Sequence, residues 1–247
     1  MSSIGLEIRK LDEQLRATEG WRIRSKLEVF SISIYTFEKN NKELVNLLNQ
    51  YETDSNLALE ISSFNNTETF KAFLTEIIRL LHNYLASAMT LVDHTRKLFK
   101  DEYEKKEFEK EYNKKIDELF VQSPVSRFIQ DLRNYSVHRM LPIAGASVAF
   151  SQETGMTHSI YLSKDKLIDW KGWKQNARVY LDKQEDCIKL LPLVNEYTKN
   201  VTEFQTWFQE KQNEIHSEAM KELEELEKKY SLKVAKIQNL FQDNDER

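Results

Sequence analysis

One stretch of the chain sets chemically useful side chains at helical spacing: Ser126-Arg127-Phe128-Ile129-Gln130-Asp131-Leu132-Arg133-Asn134-Tyr135-Ser136-Val137-His138-Arg139-Met140-Leu141. On a helical wheel at about 100° per residue, Val125, Phe128, Ile129, Leu132 and Ser136 fall on one arc, with Tyr135 at its edge. Asn134 and His138 stand four apart and stack on the opposite face. Arg127 joins them there, and Arg133 lies on the flank. The polar set therefore points away from the helix's own core, at solvent or at another surface. An imidazole titrates near neutrality and can carry a proton in either direction. A guanidinium can clamp phosphate oxygens bidentately, and a neighbouring amide such as Asn134 can orient the histidine or the phosphate. Together these groups can help a ribose 2′-hydroxyl attack its own phosphodiester without a metal. RNA rather than DNA follows, because the attacking group is that hydroxyl. Arg139 and Arg127 could add phosphate contacts, and the three arginines of this helix face Asp131 alone, which gives a local positive patch.

The rest of the chain carries none of the common catalytic signatures. There is no glycine loop for phosphates, no pair of histidines one helical turn apart, and no nucleophile elbow. The histidines, His82, His94, His138, His158 and His216, are scattered. One cysteine, Cys187, excludes an intrachain disulfide and a cysteine-based metal cluster. No metal and no cofactor is expected. His82, Asn83, His94 and Arg96 lie on the preceding helix and could reach the same site in support of Arg133, Asn134 and His138; the favoured reading is polar groups satisfied between helices. Trp170, Trp173, Tyr180, Tyr197, Phe204, Trp207 and Phe208 stand at helical spacing and read as packing rather than as base-stacking platforms. The run 218–229 mixes both signs of charge and reads as a solvated helix face.

The elements that must position the 126–141 stretch are helices. Gly is 5 and Pro 3 in 247 residues, too few for the corners of a sandwich or barrel. Charged residues make up 31% and hydrophobic ones 40%, which suits long amphipathic helices. The fold expected is mostly α: an antiparallel helical bundle with a small β-hairpin insert and a long C-terminal helix. Ser123-Pro124 starts a helix and Pro142 stops it, which bounds it at 124–141. Apolar spacing predicts further helices over 3–18, from Leu27 to Tyr51, from Thr67 or Thr69 to about Lys100, and over 101–115. Residues 52–66 read as a connection. Ala146–Gln152 and Thr157–Leu162 flank Glu153-Thr154-Gly155-Met156 and read as a β-hairpin. The chain turns helical again from Trp173. Pro192 opens a long helix with Val194, Tyr197, Val201, Phe204, Phe208 and Ile215 on a heptad-like seam, and Asp243 to Arg247 are expected to fray. The segments expected are 1–66 N-terminal helices, 67–141 a helical core, 142–170 the hairpin insert, and 171–247 C-terminal helices packing on the core.

A net charge of −4 leaves no global basic field for nucleic acid, so an anion site must be local. No stretch approaches the roughly 18 apolar residues of a membrane span, and the start from Met1 to Glu7 lacks the pattern of a secretory signal. A cytoplasmic protein that engages no membrane is the expectation.

The run Arg133-Asn134-Tyr135-Ser136-Val137-His138 resembles the signature of the HEPN superfamily, an Arg followed by a polar residue and, a few positions on, a His late in a helix. The upstream Leu81-His82-Asn83-Tyr84-Leu85 is similar in position to the partner helix of that four-helix fold. The resemblance covers roughly 67–141. It implies a metal-independent endoribonuclease with His138 as general acid or base, Arg133 as phosphate clamp and Asn134 as orienting amide. It also implies a homodimer with a composite site, and a toxin or antiphage role with an antitoxin or another protein partner. The alternative it implies is a non-catalytic helical module that binds a partner protein or a nucleotide.

Overall fold

A computed structural model of the chain describes residues 3–153 and 155–245. Among these residues it is mostly α, with ten helices and one three-stranded antiparallel sheet. The expected class, with its small β insert and long C-terminal helical stretch, is the class observed. The chain divides into two compact units, one built from the segments up to Ser31 and from Thr206 onward, the other running Ile32–Gln205. The segment boundaries expected at 66, 141 and 170 all fall inside the second unit.

The first unit contains α1 (Ser3–Ala17), the start of α2 (Glu19–Thr53), the end of α9 (Leu190–Ile215) and α10 (Ser217–Asp245). Leu15, Ile23, Phe30, Phe208 and Leu223 are buried in it. Phe30 meets the edge of Phe208 with ring centroids 6.3 Å apart, and Arg24 pairs with Glu227 at 2.5 Å. The long C-terminal helix is interrupted once, at His216, whose backbone N–H still reaches Gln212 O at 3.0 Å. The expected fraying begins at 243, but α10 runs on to Asp245, and 246–247 lie outside the described residues, as do Met1 and Ser2 at the start.

The second unit holds the rest of α2 and α9, with α3 (Ser55–Ser62), α4 (Thr67–Glu102), α5 (Phe108–Ile116), α6 (Pro124–His138), α7 (Lys164–Ile168) and α8 (Gln175–Lys183). Phe37, Leu44, Leu48 and Tyr51 of α2, Ile77, Leu81, Tyr84 and Leu85 of α4, and Val194, Tyr197, Val201 and Phe204 of α9 are all buried. The heptad-like seam of α9 is thus a core seam through Phe208, while Ile215 is 42% exposed. Residues 52–66 are not the open connection expected. Asp54 caps α3, its carboxylate accepting the N–H groups of Asn56 and Leu57 at 3.0 Å each. The helix expected over 101–115 is broken by a turn in which Lys105 takes a left-handed φ of 64°, its N–H held by the Glu109 carboxylate at 2.7 Å. A π-turn, Asp117–Val121, then leads to α6.

Strands β1 (Ala144–Ser151) and β2 (Gly155–Ser163) form the expected hairpin, paired from Ala144↔Leu162 to Ser151↔Gly155. Gly155 supplies a φ of 70° at the turn, where a side chain would be strained; Thr154, also expected in that turn, lies outside the described residues. A third strand, β3 (Cys187–Lys189), pairs antiparallel with β2 through Leu162↔Ile188 and was not expected.

Candidate functional site

Helix α6 is fixed at its start, along its buried face and at one carboxylate. Ser123 Oγ accepts the Ser126 N–H at 3.2 Å and Pro124 sits in the first turn, as the sequence predicts. Asn200 of α9 donates to Leu119 O at 3.2 Å and to the hydroxyls of Ser123 and Ser126 at 3.3 Å each. Along the buried face, Phe128 stacks on Trp173 at 5.2 Å and packs on Tyr180 at 4.8 Å. Tyr135 stacks on Trp173 at 5.9 Å, and its hydroxyl donates to Lys166 O at 3.2 Å. The aromatic residues 170, 173 and 180 are packing groups, as expected. Asp131 is only 2% exposed and accepts the backbone N–H of Lys174 at 2.8 Å. It therefore anchors the entry to α8 and is not a counter-ion for Arg133 or His138.

The opposite flank of α6 lines a surface groove of about 260 Å³ with Met89, Val92, Asp93 and Arg96 of α4 and with Lys174. Arg127, Gln130, Arg133 and Asn134 are its α6 residues. Four cations thus face one carboxylate. The Arg96–Asp93 pair, at 3.5 Å with both side chains mostly exposed, is weak. Arg127 Nη1 donates to Gln130 Oε1 at 3.3 Å and Arg133 Nη1 to Asn134 Oδ1 at 3.4 Å. Among the described residues, no carboxylate pairs with either arginine. Asn134 thus meets Arg133, whereas the partner expected for its amide was the histidine or the phosphate.

His138 and Arg139 do not line this groove. His138 is the last residue of α6, one turn or about 6 Å along the axis from Asn134. It is exposed and has no hydrogen-bond or ion-pair partner among the described residues. The helix stops there rather than at 141: the Arg139 N–H still makes the regular helical bond to Tyr135 O at 2.9 Å, and the Met140 N–H turns back to that same oxygen at 3.2 Å. Arg139 is the exposed C-cap. Around His138, Val137, Met140, Leu141 and Ile143 are 51%, 47%, 45% and 43% exposed, a run of large apolar side chains left in water.

The structure thus brings Arg127, Arg133 and Asn134 into one groove and sets His138 and Arg139 beyond its end. It adds Arg96, for which a place at the site was the less favoured of two readings, and Lys174, which sequence reasoning passed over. Arg96 had a detectable signal: Met89, Val92, Asp93 and Arg96 repeat at helical spacing on one face of α4. Lys174 had none, being carried in by the loop that Asp131 holds. Of the polar groups expected to be satisfied between helices, His94 Nδ1 meets Ser33 Oγ at 2.6 Å, whereas His82 Nδ1 is buried without a partner. Among the described residues no three His, Cys, Asp or Glu side chains cluster as a metal site, and no helix is long and apolar enough to cross a membrane. No family model, no curated protein and no solved structure matches the chain.

Proposed function

We propose that the chain is a metal-independent endoribonuclease of HEPN type. The observation that carries this reading is the cationic groove in which Arg133 and Asn134 stand with Arg96, Arg127 and Lys174, while an unpaired His138 waits one turn further along the same helix. In this reading the guanidinium groups hold a phosphodiester of single-stranded RNA. The 2′-oxygen attacks phosphorus, the 5′-oxygen of the next nucleotide leaves, and a 2′,3′-cyclic phosphate and a 5′-hydroxyl result. His138 serves as general acid or base, Arg133 as clamp, and Asn134 holds Arg133 in place. Arg139 and Arg127 would contact flanking phosphates.

The position of His138 beyond the groove calls for a second copy of the chain. Val137, Met140, Leu141 and Ile143 supply an apolar surface around the imidazole for it to cover. A homodimer closed there would set two His138 side chains beside the two grooves as a composite site. A toxin or antiphage role, an antitoxin or other protein partner, and a cytoplasmic location accompany this reading. The same apolar surface favours a second reading, a non-catalytic module that docks a partner protein there.

The two readings part in one assay. Purified protein is incubated with varied RNAs in EDTA across a pH series, beside His138→Ala and Arg133→Ala. Cleavage to cyclic-phosphate ends, lost by at least a hundredfold in both variants with unchanged melting temperatures, is the expected result. Intact RNA under every condition, or cleavage untouched by the variants, would overturn the nuclease reading.

A further inference from the structure

A second cavity, of about 300 Å³, adjoins the groove and shares Val92, Arg96 and Gln130 with it. Its walls are aromatic. Phe99 and Tyr112 stack with centroids 3.7 Å apart, and Tyr112 and Phe120 meet Phe204 edge-on at 5.9 and 5.6 Å. Ala88, Leu91 and Val201, all buried, line it as well, with Val92 and Ile116. Phe120 is carried by the π-turn Asp117–Val121, a distortion that often marks functional positions. Burial pushes the Tyr112 phenol up to about 12, so this wall stays neutral.

Arg96 is the one charged residue of the lining among the described residues. It is exposed, tied among the described residues only by its weak contact to Asp93, and near enough for its charge to act on Tyr112. An apolar cavity costs stability in proportion to its volume. The rings brace one another along one wall, and Thr95, Asn113, Gln130 and Gln205 break the apolar lining. Its size sits at the lower end of small-molecule sites, roughly 300–1,000 Å³. A largely apolar space with one guanidinium in its lining suits a ligand that is apolar over most of its body and anionic at one end.

We propose that this cavity binds a small amphiphilic anion, with an aryl or short acyl body among Phe99, Tyr112, Phe120 and Phe204 and a phosphate or carboxylate head on Arg96. The inference needs only the cavity and Arg96 and does not rest on the nuclease reading. Its test involves neither RNA nor turnover, so the two can fail separately.

Titration calorimetry on the intact chain compares 1-naphthyl phosphate, 1-naphthol, decanoate and inorganic phosphate. Naphthyl phosphate or decanoate binds at least tenfold more tightly than either naphthol or phosphate; which of the two does so identifies the body as aryl or acyl. Arg96→Gln brings that ligand down to the level of naphthol. Val201→Phe, which fills the cavity, weakens it at least tenfold, with Ala88→Leu as the second filling variant should the first lower the melting temperature. Equal affinity for naphthyl phosphate, decanoate and inorganic phosphate would remove the cavity from the interaction and overturn the proposal. So would tight binding that survives both filling variants, or that ignores Arg96→Gln.

Discussion

The two faces of α6 are treated in opposite ways by the rest of the molecule. On one face Phe128, Ile129, Leu132 and Tyr135 have no exposed surface at all, and Asp131 is matched to a specific backbone donor. On the other, Arg127 and Arg133 reach only neighbouring amides, and His138 reaches nothing among the described residues. The contrast separates two tasks. The packed face sets where the helix lies, and the groove face keeps its charges available because it contributes little to that. Donors that are positioned in advance and left without a counter-ion need little rearrangement when an anion arrives. Large stability effects and little functional specificity are therefore expected on one face, and the reverse on the other.

The largest effect belongs to the aromatic shelf. Phe128→Ala removes a ring buried against Trp173 and Tyr180 and should cost about 3–5 kcal/mol, read from urea unfolding. A loss below about 1 kcal/mol would mean that the shelf collapses onto the gap and is not what fixes the helix. A middle effect is expected at Asp131, which is polar yet belongs to the packed face. Asp131→Ala leaves the Lys174 N–H without its acceptor, a penalty of about 1–3 kcal/mol. It should also loosen Lys174 from the groove. Hydrogen exchange at the start of α8 would register this directly, and unchanged protection there would break the link drawn between Asp131 and the groove wall.

How much of this could be read in advance depended on how local the cause was. The start of α6 was legible because Ser123 and Pro124 act on the next few residues, and the buried arc because one helical period orders it. The end was misplaced because Pro142 marks only where a helix is forbidden to continue; the chain leaves the helix earlier, where the Met140 N–H turns back to Tyr135 O. Helix α3 had a cue in Asp54, hidden in a stretch rich in Asn, Ser and Thr. Strand β3 is three residues long and owes its form to β2, far off in sequence, so no local pattern could announce it. The groove was half legible for the same reason. Arg127, Arg133 and Asn134 come from one helix, while Arg96 and Lys174 arrive from elements that pack against it.

The smallest stability effect tests the comparison from its other side. Arg127→Gln and Arg133→Gln each exchange a cation on a partly exposed face for an amide that preserves most of the side chain's packing. Stability should change by no more than about 0.5 kcal/mol in either variant. On the proposed nuclease reading, binding of single-stranded RNA should weaken in both, and the reason can be separated from any change of shape by varying salt. Taking one cation away from a phosphate should flatten the slope of log affinity against log salt by about 0.7. A weakened variant whose slope is unchanged would mean that the arginine shapes the groove without touching phosphate. A stability loss of about 2 kcal/mol or more would mean that the groove face also holds the helix in place, and the division between the two faces would not stand.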